Sequence, residues 1–302
     1  MSFSLEAEAK ALNKKMEAVL SRDAAMPVTD TTDRRFSLFR TKKAKKQLFL
    51  NYKGGTGKTS ISVAYAYYLA QTGKKVLVVD LDAQAHLTTC LNQEDMRHDK
   101  SLYSVLVKGD NIKNIITPTS LEGLSLVPSS ISLSALELPL YNMSLKEFRL
   151  HKALKSVERE YDYIIIDSAP NIGLLSLNAI LASDEILIPL LADFLSFHGL
   201  KILLETLVSI EKDFRYYLKK IYIFLNRYNP DYPVCGECKE AIKKFYPDYS
   251  LNTVIRESHD IIDASSLGKS VFEIYPDSKI AEDIKSLVRE VNGLNKNMRE
   301  EK

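Results

Sequence analysis

The segment Asn51–Ser60, with the sequence N-Y-K-G-G-T-G-K-T-S, constrains the fold of this chain more than any other. It follows the apolar run Leu48–Leu50 and precedes a helical pattern over residues 61–70. A strand, a glycine-rich turn and a helix in this order form a loop whose backbone N–H groups surround phosphate. The glycines leave room for the turn, and the positive end of the helix faces the same anion. The sequence therefore predicts a nucleotide phosphate site.

Each polar side chain in this loop has a predicted role. Lys58 is placed to reach the β- and γ-phosphates, and the Thr59 hydroxyl is placed to bind Mg²⁺. The usual pattern has glycine where this chain has Tyr52, and here a second lysine, Lys53, stands directly before the double glycine. A glycine-rich turn with two solvated lysines is the alternative, which the order of residues disfavours. The loop residues predicted to bind ATP are Gly54, Gly55, Thr56, Gly57, Lys58, Thr59 and Ser60.

Composition limits the class of protein. The chain has 302 residues, 45% hydrophobic content and three cysteines, which indicates a cytosolic globular protein without a disulfide framework. No apolar run approaches the roughly 20 residues that a membrane helix needs, and the N-terminus lacks the apolar core of a signal peptide. The net charge of +2 does not indicate nucleic-acid binding, so any basic surface must be local.

Alternating strand and helix patterns predict an α/β fold with a doubly wound, mostly parallel sheet flanked by helices. After the loop, buried-strand patterns occur at residues 76–79, 124–127, 163–166, 186–191 and 221–225. We expect an N-terminal extension of helix plus linker at 1–46, an ATPase domain at 47–295 and a polar tail at 296–302. The extension carries an apolar stripe (Leu5, Ala9, Leu12, Met16 and Val19) at helical spacing.

Acidic residues follow two of these strands. Asp80 and Asp82 lie in D-L-D-A-Q, and Asp167 ends the isoleucine-rich strand that precedes Ser168-Ala169-Pro170. Open α/β sheets place their chemistry at the carboxyl ends of strands, so the site's chemistry is expected at the end of the sheet where these residues lie. A purely structural pair of carboxylates is the alternative.

The block K-G-G-T-G-K-T resembles the deviant Walker A motif of the ParA/MinD family of ATPases, and D-L-D-A-Q is similar to the family's second motif. The resemblance implies that Lys53 crosses a dimer interface to the partner's nucleotide, and that Asp82 organises the attacking water and helps hold Mg²⁺. It also implies that Thr59 and Asp167 hold Mg²⁺ and that Asn226 and Arg227 hold the adenine. Ala83 and Ala169 replace prolines that are common in the family.

The resemblance further implies a cytoplasmic, nucleoid-associated ATPase that forms a homodimer with ATP and binds nonspecific DNA. A ParB-like or other partner is expected to stimulate hydrolysis, with residues 1–22 as a contact, and no stable membrane association is expected. Where many relatives have arginines after Ile255, this chain has Glu257 and Asp260. The candidate DNA contacts are Lys239, Lys243, Lys244, Arg256 and Lys269.

Two alternatives remain open at this stage. A MinD-like membrane cycle requires an amphipathic C-terminal helix, whereas this chain ends in the polar, mixed-charge sequence N-G-L-N-K-N-M-R-E-E-K. An iron–sulfur scaffold of the Mrp type would use Cys235 and Cys238, since two such pairs across a dimer axis supply four thiolates. Two structural thiols near the start of a helix, one of them made reactive by a lowered pKa, are the simpler explanation of this pair.

Overall fold

The structure is a computed structural model that describes residues 11–16, 43–91 and 101–294. Within these residues a seven-stranded sheet has the order β3-β4-β2-β5-β1-β6-β7, and all neighbouring strands are parallel except β3 and β4. The strands are β1 Lys45–Phe49, β2 Val76–Leu81, β3 Thr117–Pro118, β4 Leu124–Val127, β5 Tyr163–Ser168, β6 Glu185–Leu190 and β7 Lys220–Leu225.

Helices cover both faces of the sheet. They are α1 Lys58–Gln71, α2 His86–Leu91, α3 Glu137–Tyr141, α4 Arg149–Lys155, α5 Leu174–Ala182, α6 Phe194–Phe214, α7 Pro233–Phe245, α8 His259–Ser266, α9 Val271–Ile274 and α10 Lys279–Asn292. Because successive side chains of a strand point to opposite faces, Val76 and Val78 join the core under α1 and α10, and Leu77 and Val79 join the core under α5 to α7. The predicted doubly wound α/β fold is confirmed.

Strand register brings three functional segments to one edge of the sheet. Phe49, the last residue of β1, is paired with Asp167 on β5, and Asp80 on β2 is also paired with Asp167. The loop after β1 and the acidic residues of β2 and β5 therefore meet at the carboxyl ends of three adjacent strands, where ligands bind in this class of sheet.

The lysines that precede the glycine-rich loop are paired with carboxylates. Lys43 and Lys46 contact Glu158 at 3.1 and 3.3 Å, and Lys45 contacts Glu185 at 3.0 Å. Burial pushes the pKa of Glu158 upward, but the hydrogen bonds and charges of Lys43 and Lys46 outweigh burial and hold the pKa below its usual value. β1 begins at Lys45, two residues before the predicted domain boundary. Lys45 and Lys46 are thus part of the folded sheet.

The predicted helix at residues 1–22 falls mostly outside the described residues, as does the predicted tail at 296–302. Residues 11–16 are helical, and Leu12 and Met16 lie in the same buried cluster as Cys238 and Ile242 of α7. The Asn13 amide donates a hydrogen bond to the carbonyl of Phe245 at the end of α7. This part of the extension therefore packs on the core.

The amphipathic pattern of residues 144–160 predicts one helix, but the helix in the structure is shorter. Leu145 has a left-handed backbone, with φ of 54°, and a single 3₁₀ turn separates it from α4. The sequence also predicts a helix at 196–212; α6 begins two residues earlier, because the carboxylate of Asp193 accepts the backbone N–H of Ser196 and caps it. Among the described helices none is both long and apolar enough to cross a membrane.

Candidate nucleotide-binding site

The glycine-rich loop has the backbone geometry that the sequence predicts. Gly55 and Gly57 have φ of 74° and 85°, a region that side chains disfavour. A Cβ atom on Gly57 would lie 2.2 Å from Nδ2 of Asn226. That amide donates a 2.8 Å hydrogen bond to the carbonyl of Thr56. Only glycine fits at position 57, and Asn226 at the end of β7 supports the loop backbone.

Asn51 fixes the start of the loop. Its amide nitrogen donates to the carbonyl of Pro189 on β6 at 2.8 Å, and its amide oxygen accepts the N–H of Lys53 at 2.9 Å. The side chain is buried, so both bonds are made in a region that excludes water. Asn51 thereby ties the start of the loop to β6 and fixes the backbone at Lys53.

Lys58, at the first position of α1, is only 6% exposed, and its ammonium donates to the carbonyl of Lys53 at 3.3 Å. Burial lowers the pKa of Lys58, while the charges of Asp167 and Asp82 oppose this effect. The lysine therefore shares its site with both carboxylates, and water screens its charge weakly.

Asp167 is fully buried at the end of β5. The Thr59 hydroxyl donates to its Oδ2 atom at 2.7 Å, and its Oδ1 atom has no hydrogen-bond partner among the described residues. Burial, followed by the charge of Asp80, raises the pKa of Asp167 well above its ordinary value. Asp80 is also buried, and burial likewise raises its pKa to about 6. Two adjacent buried carboxylates are costly without a compensating positive charge.

These atoms fit a magnesium ion. The unpartnered Oδ1 of Asp167 and the hydroxyl of Thr59 are hard oxygen ligands, which Mg²⁺ prefers. Asp82 lies farther out, half-buried, with its Oδ1 atom accepting the N–H of Gln84 at 3.0 Å. The structure thus gathers Lys58, Thr59, Asp82 and Asp167 at one edge of the sheet, as the sequence predicts.

Lys53 does not point toward the loop of its own chain. Its ammonium contacts Oδ1 and Oδ2 of Asp193 at 2.9 and 2.8 Å and the hydroxyl of Ser196 at 3.2 Å. Burial pushes the pKa of Asp193 upward, but hydrogen bonds from Lys53 and Ser196 outweigh it and keep the pKa below its ordinary value. The ammonium is therefore held beside the start of α6 in the single chain.

The segment after Asp167 is open to solvent. Asn171 and Ile172 are exposed, and a Cβ atom on Gly173 would lie 2.7 Å from a carboxylate oxygen of Glu137 on α3. Arg227, predicted to hold the adenine, is exposed and has a left-handed backbone with φ of 53°. Its neighbour Asn226 was also predicted to hold the adenine, but its amide donates to the carbonyl of Thr56 in the loop. The sequence alone did not predict this contact.

The five candidate DNA contacts have different surroundings. The guanidinium of Arg256 is engaged, because its Nε and NH2 atoms donate to the two carboxylate oxygens of Asp283 at 2.8 and 2.7 Å. Lys239 lies over the ring of Tyr228 at 5.7 Å, and Lys243 is one helical turn further along α7. Lys244 and Lys269 are exposed. The α7 lysines are thus better placed than Arg256 to meet a phosphate.

The cysteine pair does not form an accessible half-site. Cys235 and Cys238 are 3% and 8% exposed on α7, and Cys238 belongs to the main apolar core. Burial raises the pKa of Cys238 to about 11, opposite to the lowering that a reactive thiol requires. Among the described residues no group of three or more His, Cys, Asp or Glu side chains is arranged to hold a metal. These surroundings favour the structural explanation of this pair.

Sequence reasoning assigned no role to several residues that shape the site. They are Asp80, Thr88, Ser129, Asp193 and Ser196. The signal for Asp193 was present, since an aspartate directly before an apolar helical pattern is a capping signal. The bonds of Ser129 were not visible, because Ser129 follows β4 and reaches Thr88 and the Asp82 carbonyl only through the fold.

The fold and this loop define a P-loop nucleotide-binding protein. Residues 44–220 match a family model described as an AAA domain. The chain is 44% identical over 244 residues to the cell division protein PomZ of Myxococcus xanthus, covering 81% of this chain and 76% of that protein. It is 35% identical over 241 residues to the sporulation initiation inhibitor protein Soj of Bacillus subtilis, covering 80% and 95%.

Solved structures have the same architecture. Apo McdA from Cyanothece superposes with a TM-score of 0.73 at 26% identity, covering 80% of this chain and 98% of that one. The cell division ATPase MinD of Pyrococcus furiosus gives 0.67 at 23%, covering 83% and 100%, which shows the fold alone. The chain belongs to the ParA/MinD family of P-loop ATPases, close to the Soj-like partition ATPases, and the predicted family is confirmed.

Proposed function

We propose that this protein binds ATP with Mg²⁺ at the loop after β1 and hydrolyses it by in-line attack of water on the γ-phosphate. The observation that carries the proposal is the meeting of Lys58, Thr59, Asp82 and Asp167 at the carboxyl ends of three adjacent strands. No other set of described residues combines a phosphate loop with carboxylates in this way.

The residues contribute mainly by position and charge. Loop N–H groups and the buried ammonium of Lys58 bind the phosphates, where weak screening strengthens their attraction. Thr59 and Asp167 would hold Mg²⁺, which would supply positive charge against the charge that develops on the phosphate oxygens. Asp82 orients the attacking water from its half-buried position at the edge of the site.

The protein acts as an ATP-dependent homodimer in this proposal. Lys53 leaves Asp193 and contacts the nucleotide of the partner subunit, so one site is complete only when two chains meet. This proposal is supported by the position of the Lys53 ammonium, which contacts the Asp193 carboxylate at the start of α6 and not the phosphate site of its own chain. Intrinsic turnover is slow, because a conformational timer requires a long-lived ATP state.

The cellular role is to move or place DNA or a protein cargo. PomZ is named as a cell division protein and Soj as a sporulation initiation inhibitor. Two further relatives are named for chromosome partitioning. The ATP dimer associates with nonspecific DNA of the nucleoid through Lys239, Lys243, Lys244 and Lys269, with Arg256 held in its ion pair. A partner protein, contacting residues 1–22 of the extension at 1–46, stimulates hydrolysis by the ATPase domain at 47–295 and releases the dimer.

Calorimetric titration with ATP and Mg²⁺ tests the nucleotide site. Lys58→Ala should abolish binding, since the loop loses its buried point charge. Lys113→Ala is the matched control, because Lys113 is an exposed lysine paired with Glu160 away from the loop. Unchanged ATP affinity in Lys58→Ala would remove Lys58 from the site and with it the proposed function.

A further inference from the structure

Two buried hydroxyl groups lie behind the loop that carries Asp82. Thr88 is on α2 and 1% exposed, and Ser129 follows β4 and is fully buried. The N–H of Ser129 donates to the hydroxyl oxygen of Thr88 at 2.9 Å. The two residues come from segments 41 positions apart, so this bond joins α2 to the loop after β4.

Both residues connect to the backbone around Asp82. The hydroxyl and the N–H of Thr88 donate to Oδ2 of Asp80 at 2.7 and 2.9 Å. The other oxygen of Asp80, Oδ1, accepts the N–H of Asp82 at 3.0 Å. The Ser129 hydroxyl donates to the carbonyl of Asp82 at 2.5 Å. The N–H of Asp82 is therefore held through Asp80, and its carbonyl is held by the Ser129 hydroxyl together with the N–H of Ala85, which donates to it at 2.9 Å.

We propose that Ser129 and Thr88 are positioning residues for Asp82, acting through the backbone of the Asp82 loop; this inference rests on the proposed ATP hydrolysis. Among the described residues the Asp82 side chain accepts one hydrogen bond, from the N–H of Gln84, and that side chain is half-exposed. Its direction therefore depends on where its backbone is fixed. A group that orients water must be held to within about 0.5 Å, and buried hydrogen bonds are the means of doing so.

The arrangement separates positioning from nucleotide binding. Neither hydroxyl forms a hydrogen bond with residues 51–60, which are held instead by the bond of Asn51 to β6 and by Asn226 at the end of β7. Loss of the Ser129 hydroxyl should therefore alter the rate of the chemical step and leave ATP binding in place. A misplacement of about 1 Å costs on the order of 100-fold in rate, so a smaller shift predicts a loss of about 10- to 100-fold.

The test compares variants that remove or keep a hydroxyl. Ser129→Ala and Thr88→Val remove one each, and Thr88→Val keeps the shape of the side chain. Thr88→Ser keeps the hydroxyl and loses a methyl group. Ser183→Ala is the control, since Ser183 is also buried and donates to a backbone carbonyl, but precedes β6 at the opposite edge of the sheet. Phosphate release at saturating ATP and Mg²⁺ gives kcat, and its ATP dependence gives KM.

We expect kcat to fall about 10- to 100-fold in Ser129→Ala and Thr88→Val, with KM within about twofold of wild type. Thr88→Ser and Ser183→Ala should keep the wild-type kcat. Hydrogen exchange of the nucleotide-free protein gives a second measure: amides at residues 82–88 should exchange faster in Ser129→Ala, and those at residues 51–60 should not.

Equal kcat in wild type and Ser129→Ala would overturn the inference, as would a loss in Thr88→Ser equal to that in Thr88→Val. A rise in KM in proportion to the fall in kcat would also overturn it. If wild-type protein binds ATP and Mg²⁺ but releases no phosphate, the proposed hydrolysis fails. The exchange measurement then still decides whether the two hydroxyls fix the Asp82 loop.

Discussion

The ammonium of Lys53 contacts both carboxylate oxygens of Asp193 in the same chain, at 2.9 and 2.8 Å. Since the proposed dimer places this ammonium on the partner's nucleotide, the ion pair must break when two chains associate. The two side chains are 34% and 38% exposed, so the pair stabilises the single chain by only about 0.2–1 kcal/mol. The contact is strong enough to bias Lys53 and weak enough to be released.

Asp193→Asn should therefore favour the ATP dimer. Asparagine still caps α6 but removes the charge that attracts Lys53, and 0.2–1 kcal/mol corresponds to a shift of about 1.4- to 5-fold. Light scattering should show half-maximal dimerisation at an ATP concentration lower by this factor. Asp213→Asn, at the exposed far end of α6, is the control. A variant that needs more ATP than wild type would show that Asp193 supports the dimer.

Buried Asp167 should make the metal-free protein less stable as the pH rises. Its pKa is raised by burial from 3.8 to about 8, so the folded state holds a proton that the unfolded state has lost. Stability from this group is therefore present at low pH and lost as the pH rises toward 8. Urea midpoints without Mg²⁺ should fall between pH 6 and 8 in wild type and fall less in Asp167→Asn.

The control for this measurement is Asp213→Asn, whose midpoints should follow wild type. If the urea midpoints of wild type and Asp167→Asn changed equally between pH 6 and 8, this result would show that Asp167 is ionised in the metal-free fold. Added Mg²⁺ and ATP should stabilise wild type more than Asp167→Asn, because the variant lacks the carboxylate.

DNA binding should require ATP and depend strongly on salt. With roughly three phosphates neutralised per subunit, a dimer contacts about six and gives a log–log salt slope of roughly −5. Lys239→Ala with Lys243→Ala removes four cations per dimer and should reduce the slope by roughly 3 to 4. Gel shifts of the Asp82→Ala form with ATP or ADP check this. Equal binding with both nucleotides, or an unchanged slope, would contradict the α7 contacts.

The control for DNA binding is Lys113→Ala with Lys285→Ala, since both lysines are already paired with glutamates. This double variant has the same change in net charge as the α7 pair. It should bind DNA with the wild-type salt slope.

The N-terminal helix should contribute to stability. Met16 is 2% exposed in the main core, and truncation of a buried methionine to alanine costs about 2–5 kcal/mol. Met16→Ala should therefore lower the unfolding midpoint clearly, whereas Lys15→Ala on the exposed face of the same segment should not. Equal midpoints would show that residues 11–16 are a separable arm, as the sequence alone suggested.

Local pattern predicted most of the sheet, because buried strands such as Ile164–Ile166 are continuous apolar runs. The phosphate loop was also predictable from local sequence, since Gly57 and Lys58 follow one another in a short motif. The position of Lys53 was not, because Asp193 lies 140 residues away and reaches it only through the fold. The packing of Leu12 and Met16 was missed because an apolar stripe does not say which surface covers it.

Ser129 shows the same limit. It is an ordinary hydroxyl residue in the sequence, and only the parallel pairing of β2 with β4 brings it to Thr88. Arg256 was a candidate DNA contact because it is a cation near Ile255. The sequence does not reveal that Asp283, on the last described helix, accepts hydrogen bonds from the Nε and Nη2 atoms of Arg256.

Light scattering and phosphate release, measured together on Asp82→Ala, test the central claim most directly. The account predicts that this variant binds ATP, forms a dimer with ATP and Mg²⁺, stays a monomer with ADP, and releases no phosphate while wild type does. Phosphate release by Asp82→Ala at the wild-type rate, or a monomer in the presence of ATP, would contradict it.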